Sequence, residues 1–258
     1  MNLDNNFINI QQAERDKSIY RIVSLGRLFD IFKNTKLMLV QPKLWDDPYE
    51  NCILQGKFFF SGVGMVSIAY RSKFYGSCWT LHDETDAMWR IYAPNKDGVK
   101  IKTSINKLFN SLLDTRNNLH FKDRECFIGK VTYETEAGIV DFFHRLSTSD
   151  DKKLLFVDRT MISQVMTLLI KREAFVHEKE VRLIYYDQQN ECRNRRNGCC
   201  EEIFQYEIQP ESLFEEIIFD PRMDIGKYKQ VSECFQQKFS WDLPIKQSTL
   251  YRYPSFIK

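Results

Sequence analysis

The chain has 258 residues, 43% of them hydrophobic and 14% aromatic, and its 37 Lys and Arg against 35 Asp and Glu leave a formal charge of +2. This length and composition predict a globular protein and exclude a mainly disordered chain. No apolar run is long enough to span a membrane, and the N-terminus lacks the basic and apolar blocks of a signal peptide. We therefore expect a cytoplasmic protein without membrane partners, folded as a single domain over residues 1–258 with a flexible N-terminal segment at 1–17.

Cysteine and histidine spacing gives no sign of a metal site. The seven cysteines contain no C-x-x-C pair, and the four histidines show no H-E-x-x-H spacing. Neither a zinc ribbon nor a secreted disulfide framework follows from such spacing. The expectation is therefore reduced cysteines and no metal cofactor.

The apolar pattern of the N-terminal half predicts alternating strands and helices. A strand at 19–22 precedes a helix that Ser24 caps, because apolar residues recur there at offsets of 0, 3, 4 and 7. Strands are expected at 37–40 and 74–80. A short helix capped by Asp83 is then expected to carry Met88, Trp89 and Tyr92 on one side.

The second half continues the alternation. Apolar residues alternate with Lys100 and Lys102, which predicts a half-exposed strand, and Ser104 opens another amphipathic helix. Further strands are expected at 127–134, 181–186, 203–208, 217–219 and 249–253, with helices at 137–146, 161–170 and 225–239. The sum is an α+β fold with mixed or antiparallel sheets and flanking helices.

The triplet Glu178-x-Glu180-x-Arg182 is the sharpest candidate for chemistry. In a strand, side chains at i, i+2 and i+4 point to one face, so two carboxylates and a guanidinium would share it. Such neighbours drive carboxyl pKa values apart and can yield one proton acceptor beside one electrostatic group. A solvated strand edge with an ordinary ion pair is the alternative interpretation.

Two weaker candidates lie earlier in the chain. Trp79, Met88, Trp89 and Tyr92 could form an aromatic wall for a flat ring, although such residues also serve as core. Arg21 offers a planar donor pair to phosphate or ribose. The Gly-rich dinucleotide and P-loop fingerprints and the G-x-S-x-G elbow are absent from the sequence.

Taken in order, the motifs resemble a bacterial family of unknown function. They are Tyr20-Arg21-x-x-Ser24-Leu25, Trp45-Asp46-Asp47-Pro48-Tyr49-Glu50, Cys78-Trp79-Thr80, Met88-Trp89-Arg90-x-Tyr92 with Gly98-Val99, and Glu178-x-Glu180-x-Arg182. The resemblance spans about residues 19 to 223. The chain departs from the family pattern at Ile22, Trp45 and Trp79-Thr80.

That family in turn looks like the ADP-ribosyltransferase superfamily, so the resemblance implies an ADP-ribosyltransferase-like fold and NAD consumed as substrate. It implies that Glu180 stabilises the ribose cation and that Glu178 handles the acceptor. NAD-binding roles would then fall on the remaining motif residues: Tyr20, Arg21, Ser24, Thr80, Trp89, Tyr92 and Arg182. It also implies a toxin of a toxin–antitoxin or anti-phage system, with an antitoxin protein as possible partner.

For the acceptor, RNA is favoured over protein. Basic residues that could contact phosphates are Arg193, Arg195 and Arg196 in a polar loop, together with Lys171 and Arg172. Two alternatives stay open. One is a non-catalytic module that binds a nucleotide or a partner, and the other is a metal-dependent nuclease using Asp46, Asp47 and Glu50.

Overall fold

The computed structural model describes residues 3–51, 57–60, 64–67, 72–113, 126–148, 161–187 and 202–252. The chain forms two compact units, each assembled from three stretches. The first unit comprises Met1–Glu14, Met38–Cys78 and Arg116–Gln205, and the second comprises Arg15–Leu37, Trp79–Thr115 and Tyr206–Lys258. The single domain expected from the sequence stays a prediction.

Strands and helices alternate along the described residues. The strands are β1 Phe7–Ile8, β2 Ser18–Ser24, β3 Lys36–Val40, β4 Lys57–Phe60, β5 Gly64–Ser67, β6 Phe74–Thr80, β7 Gly98–Ser104, β8 Cys126–Lys130, β9 Thr132–Glu134, β10 Ile170–Arg172, β11 Glu180–Tyr186, β12 Ile203–Glu207, β13 Glu216–Phe219 and β14 Ile245–Gln247. The helices are α1 Leu25–Asn34, α2 Asp86–Tyr92, α3 Ile105–Leu113, α4 Glu136–Thr148, α5 Met161–Thr167, α6 Pro210–Leu213 and α7 Ile225–Phe239. Both parallel and antiparallel pairs occur, which confirms the α+β class with mixed sheets.

The strands of the first unit are arranged around β11. Strand β8 pairs antiparallel with β11, with Leu183 opposite Ile128, and β1 adds to β8 in parallel. The neighbour of β11 on its other side is β6. A small separate sheet pairs β9 with β10 in parallel and sets Lys171 opposite Tyr133. Apolar side chains from β6, β8, α5 and β11 pack together as the core of this unit.

The strands of the second unit are arranged around β7. Strand β2 pairs antiparallel with β7 along its whole length, β13 pairs antiparallel on the other side, and β14 adds in parallel. Helices α1 and α7 bring Phe29, Phe32 and Phe235 together, and the Phe32 and Phe235 rings meet edge to face with centroids 4.7 Å apart. Offset or perpendicular aromatic pairs of this kind stabilise a core beyond the area they bury.

Several sequence expectations hold closely. The described bounds of β6 are those expected, Ser24 caps α1 by accepting a hydrogen bond from the Arg27 amide at 3.2 Å, and α7 covers the expected range. The helix after Ser104 buries Ile105, Leu108, Phe109 and Leu112, the apolar face read from their spacing. No helix among the described residues is long and apolar enough to cross a membrane.

The N-terminal segment differs from its expectation. Residues 7 and 8 form β1, and the Asn6 side chain donates a 2.6 Å hydrogen bond to the Cys126 carbonyl. Phe7, Ile8 and Ile10 are buried. Burial of these apolar side chains favours order in a stretch whose polar composition suggested fraying.

Strand β7 is not half exposed as expected. It lies between β2 and β13, and Lys100 is buried, with its ammonium 2.9 Å from Asp83 Oδ1. Asp83 therefore pairs with a lysine, and the cap of α2 is Thr85, whose hydroxyl accepts from the Met88 amide. The burial of a lysine whose partner is exposed cannot be inferred from alternation alone.

Two boundaries also differ. The strand expected at 127–134 is two strands, because Val131 bonds to the Glu180 carbonyl while Thr132 bonds to that of Leu169. The last strand among the described residues is β14 at Ile245–Gln247, and the expected strand at 249–253 begins with a turn closed by an Arg252-to-Thr249 hydrogen bond.

Candidate functional site

The E-x-E-x-R triplet does not lie wholly in a strand. Glu178 ends a 3₁₀ turn over Glu173–Glu178, and β11 begins at Glu180. Between them Lys179 takes a left-handed conformation with φ of 41°. The expected common strand face is therefore wrong for Glu178, but the turn still brings both glutamates to one lysine, Lys171.

The backbone of Glu180 is held on both sides. Its amide donates to the Tyr133 hydroxyl at 2.8 Å, and its carbonyl accepts from the Val131 amide at 3.0 Å. These bonds fix the first residue of β11 to the segment that leads from β8 into β9. The backbone that carries the Glu180 carboxylate is thus fixed in position.

Lys171 reaches the three buried carboxylates from β10. Its ammonium lies 2.7 Å from Glu50 Oε1 and 3.7 Å from Glu180 Oε1, and it bonds to Glu178 Oε2. Burial disfavours the charge, but the attraction of Glu180, Glu178 and Glu50 outweighs it and raises the pKa of Lys171. Lys171 is therefore charged at neutral pH.

Arg182 lies inside the first unit and is 0% exposed. Its Nε donates to Glu180 Oε2 at 2.9 Å, one terminal nitrogen lies 3.2 Å from Glu50 Oε2, and the other donates to the Leu168 carbonyl at 2.7 Å. The Trp45 ring centroid is 4.4 Å from the guanidinium carbon. This set of partners offsets the desolvation of a fully buried cation.

Trp45 and Glu50 come from the segment between β3 and β4. Gly76 leaves room for the indole, because a Cβ built at that position would lie 2.8 Å from Trp45 Cζ2. Glu50 is 4% exposed, and burial raises its pKa although Arg182 and Lys171 act to lower it. We call Glu50, Glu178, Glu180, Lys171 and Arg182 the carboxylate cluster.

The carboxylate cluster changes the interpretation of two basic residues. Arg182 is enclosed by carboxylates, so it holds them and does not offer a surface to NAD. Lys171 is buried among the same carboxylates, so its charge is not directed to phosphates in solvent. Arg172, by contrast, is partly exposed and donates to Asp47 at 3.0 and 3.2 Å.

The same ion pairs bear on the metal-dependent nuclease. Asp47 is held by Arg172 and Glu50 by Lys171 and Arg182, whereas Asp46 is exposed. Within the described ranges no group of three or more His, Cys, Asp or Glu side chains could hold a metal ion. Because cations already occupy two of the three carboxylates, this set does not favour a metal site.

The strand-end residues expected to bind NAD lie in the second unit. Tyr20 stands opposite Thr80 where β2 meets β6, and both are buried. Arg21 is partly buried, with its guanidinium 6.0 Å from the Trp79 ring centroid. The Ser24 hydroxyl caps α1 and Thr80 Oγ1 accepts from the His82 amide at 3.0 Å, so both hydroxyls already have structural partners.

The residues of the expected aromatic wall differ in their exposure. Trp89 is fully buried against Ala93, Ile218 and Ile22, and its indole N–H donates to Glu84 at 2.7 Å. It is a core residue and has no face free for nicotinamide. Tyr92, at the end of α2, is 43% exposed and stays a candidate.

Arg193, Arg195 and Arg196 lie outside the described residues. Sequence analysis assigned no part in the transferase site to Glu50, Trp45 or Tyr133, and it gave Glu50 a role only in the alternative of a metal-dependent nuclease. For the first two a signal existed, because both belong to the segment from Trp45 to Glu50 among the ordered motifs. Tyr133 carried no signal beyond its place in an expected strand.

Replacing Tyr133 with Phe tests how Glu180 is fixed. Loss of the hydroxyl leaves the Glu180 amide without its acceptor, so unfolding free energy should fall by about 1–3 kcal/mol. Burial raises the pKa of Tyr133 to about 12, above its value in the unfolded chain. The free energy of unfolding of the wild-type protein should therefore fall as pH rises from 10 to 12. The difference in unfolding free energy between wild type and the Phe variant should narrow over the same range. Urea titrations between pH 10 and 12, with Tyr228→Phe as control, measure these free energies. A difference between wild type and Tyr133→Phe that stays constant with pH would contradict the prediction.

Residues 88–183 match the model of a family described as a protein of unknown function, DUF2971, which confirms the resemblance to such a family over the segment holding the M-W-x-x-Y and E-x-E-x-R motifs. No curated protein matches significantly. Structures of Thermus sp. 2.9 DarT with ADP-ribosylated ssDNA and with NAD⁺ are similar at TM-scores of 0.41 and 0.40. They show 10% and 11% identity over 92% of this chain and 97% and 98% of those chains.

Proposed function

We propose that this protein is an NAD-dependent ADP-ribosyltransferase in which Glu180 is the catalytic carboxylate. The observation that carries the proposal is the fixation of Glu180 at both its backbone and its side chain. Cleavage of the nicotinamide–ribose bond develops positive charge on the ribose, as glycoside cleavage does. A carboxylate already held in place stabilises that charge without reorganising during the reaction.

The charge of the carboxylate cluster supports the same chemistry. Three carboxylates, Glu50, Glu178 and Glu180, face two cations, Lys171 and Arg182, which leaves one negative charge in excess. In a buried site such an excess attracts a cation more strongly than it would in water. Positive charge on the ribose in the transition state is therefore favoured over the neutral ribose of bound NAD.

The two glutamates of the triplet receive different roles. Glu180 would stabilise the ribose cation and hold a ribose hydroxyl, while Glu178 would orient or deprotonate the acceptor. Glu178 ends the turn that precedes β11, whereas Glu180 lies in the strand. The difference in backbone setting fits one proton-handling group beside one electrostatic group.

The contacts to NAD come from the sequence resemblance. Arg21 is proposed to bind a phosphate or the adenosine ribose, and Tyr92 to stack on nicotinamide. Tyr20, Ser24 and Thr80 keep supporting roles in that proposal. Trp89 and Arg182 are not included, since both are enclosed by protein.

The acceptor is proposed to be RNA, and the biological role that of a toxin or anti-phage effector restrained by an antitoxin. Arginines at 193, 195, 196 and 172 supply the charge that phosphates require. Incubating the purified protein with labelled NAD and cell extract, followed by separate ribonuclease and protease digestion, identifies the acceptor. Label that ribonuclease releases supports RNA, and label that only protease or deoxyribonuclease releases replaces RNA by protein or DNA.

Replacing Arg193, Arg195 and Arg196 together with Ala should reduce RNA binding without stopping NAD cleavage. Phosphate contacts release counterions, so wild-type affinity should fall steeply with salt, and the triple variant should show a slope smaller by about two to three. Filter binding to single-stranded RNA between low and physiological salt measures the slope. An unchanged slope would remove these arginines from the RNA contact.

A further inference from the structure

Two carboxylates and two cations of the carboxylate cluster form a closed ring. Glu50 contacts Lys171 at 2.7 Å through one oxygen and Arg182 at 3.2 Å through the other. Glu180 contacts the same two cations, Lys171 at 3.7 Å and Arg182 through its Nε at 2.9 Å. Passing around the ring, the charges therefore alternate from Glu50 to Lys171, Glu180 and Arg182.

This ring ties together segments that lie far apart in sequence. Glu50 comes from a 3₁₀ turn, Lys171 from β10, and Glu180 and Arg182 from β11. Each cation is shared between Glu50 and Glu180. Movement or loss of Glu50 would thus shift both cations toward the remaining carboxylates, because an unpaired buried charge is costly and seeks another partner.

We propose that Glu50 is a positioning residue for Glu180, which it controls through Lys171 and Arg182. The proposal rests on the transferase function proposed above. Because Glu50 also pairs with Lys171 and Arg182, these cations neutralise less of the Glu180 charge. The carboxylate cluster therefore keeps its excess negative charge. Glu50 itself is 4% exposed and acts through its neighbours without contacting NAD.

The neighbouring Asp47 supplies a matched comparison. It belongs to the same segment, is buried to a similar degree, and also holds an arginine, Arg172. Its partner, Arg172, is not part of the ring. A change at Asp47 therefore reproduces the loss of a buried carboxylate without disturbing the ring.

The test measures NAD cleavage by Glu50→Gln, Glu50→Asp and Asp47→Asn, with thermal unfolding of each. We expect Glu50→Gln to lower kcat about 30-fold with KM for NAD within about twofold, since only transition-state interactions change. Glu50→Asp should lower kcat about fivefold, because the shorter carboxylate cannot reach both cations but retains the charge. Asp47→Asn should keep kcat within about threefold of wild type at a similar loss of thermal stability.

The outcomes separate this proposal from the transferase function. Wild-type kcat in any folded Glu50 variant, or an equal loss in Asp47→Asn, would overturn the positioning role while NAD cleavage by the wild-type protein still supports the transferase. If Glu50→Gln does not fold, Glu50→Asp decides by the same criterion. Absence of NAD cleavage by the wild-type protein would overturn the transferase function and with it this role.

A second measurement tests the ring through thermal stability and does not depend on enzymatic activity. Glu50 and Glu180 share both cations, so Glu50→Gln combined with Glu180→Gln should lower the melting temperature by more than the sum of the single shifts. Asp47→Asn combined with Glu180→Gln should be additive. Additive shifts in the first pair would show that the two carboxylates are not coupled, and would overturn the ring.

Discussion

Glu180→Gln should reduce NAD cleavage at least about 100-fold, which corresponds to about 2.7 kcal/mol of transition-state stabilisation. The amide keeps the shape of the side chain and can still accept a hydrogen bond from Arg182, but it removes the charge that stabilises the ribose cation. Arg182 keeps Glu50 as a partner, and Lys171 keeps Glu50 and Glu178. The variant should therefore fold, and the loss should appear in kcat.

A matched control is available seven residues earlier. Glu173 opens the 3₁₀ turn that ends at Glu178, and its side chain is exposed. Glu173→Gln removes one carboxylate from the same segment without touching the carboxylate cluster, so it should cleave NAD at the wild-type rate. If Glu180→Gln were as active as this control, Glu180 would have no catalytic role.

Arg182→Met should destabilise the fold by about 3–5 kcal/mol, the usual loss when one partner of a buried ion pair is removed. Methionine fills a similar volume against Trp45, but Glu50 and Glu180 then share Lys171 as their remaining cation in the carboxylate cluster. The Leu168 carbonyl also loses its donor. The midpoint of urea unfolding measures the effect.

Lys43→Met serves as the control for that loss. Lys43 pairs with Glu202 at 2.7 Å, but both side chains are about half exposed. Pairs of this kind contribute about 0–1 kcal/mol. Similar losses in Arg182→Met and Lys43→Met would mean that the buried cluster contributes no more than a surface pair does.

The local sequence pattern was sufficient to predict the elements that depend only on residues close in sequence. The apolar faces of α1 and α3, the cap at Ser24 and the buried strand β6 follow from spacing and side-chain type alone. These features depend on interactions within a few residues. The sequence carries that information directly.

Pattern failed where a distant partner decided the outcome. Lys100 looked solvent-facing from its alternation, but its side chain is buried and pairs with the exposed Asp83. Lys171 looked like a phosphate contact, but Glu50 and Glu178 enclose it. Burial of charged side chains depends on partners that folding brings together, and spacing along the chain does not contain that information.

Only part of the candidate site was predicted, because spacing along the chain shows neighbours in sequence but not partners that folding brings together. Glu178 and Glu180 were found because they are two residues apart, and the shared contact with Lys171 supports their association. The left-handed Lys179 between them was not expected, since positive φ is uncommon in residues other than Gly. Glu50 joined the site through tertiary contacts made across more than a hundred residues.

Release of nicotinamide from NAD tests the central claim most directly. Purified wild-type protein and Glu180→Gln are incubated with NAD and cell extract, with a metal chelator present, and nicotinamide is followed by chromatography. We expect steady release by the wild-type protein, insensitive to the chelator, and at least about 100-fold slower release by the variant. Intact NAD in the wild-type reaction, or release at equal rates by both proteins, would contradict the account and favour a non-catalytic binding module.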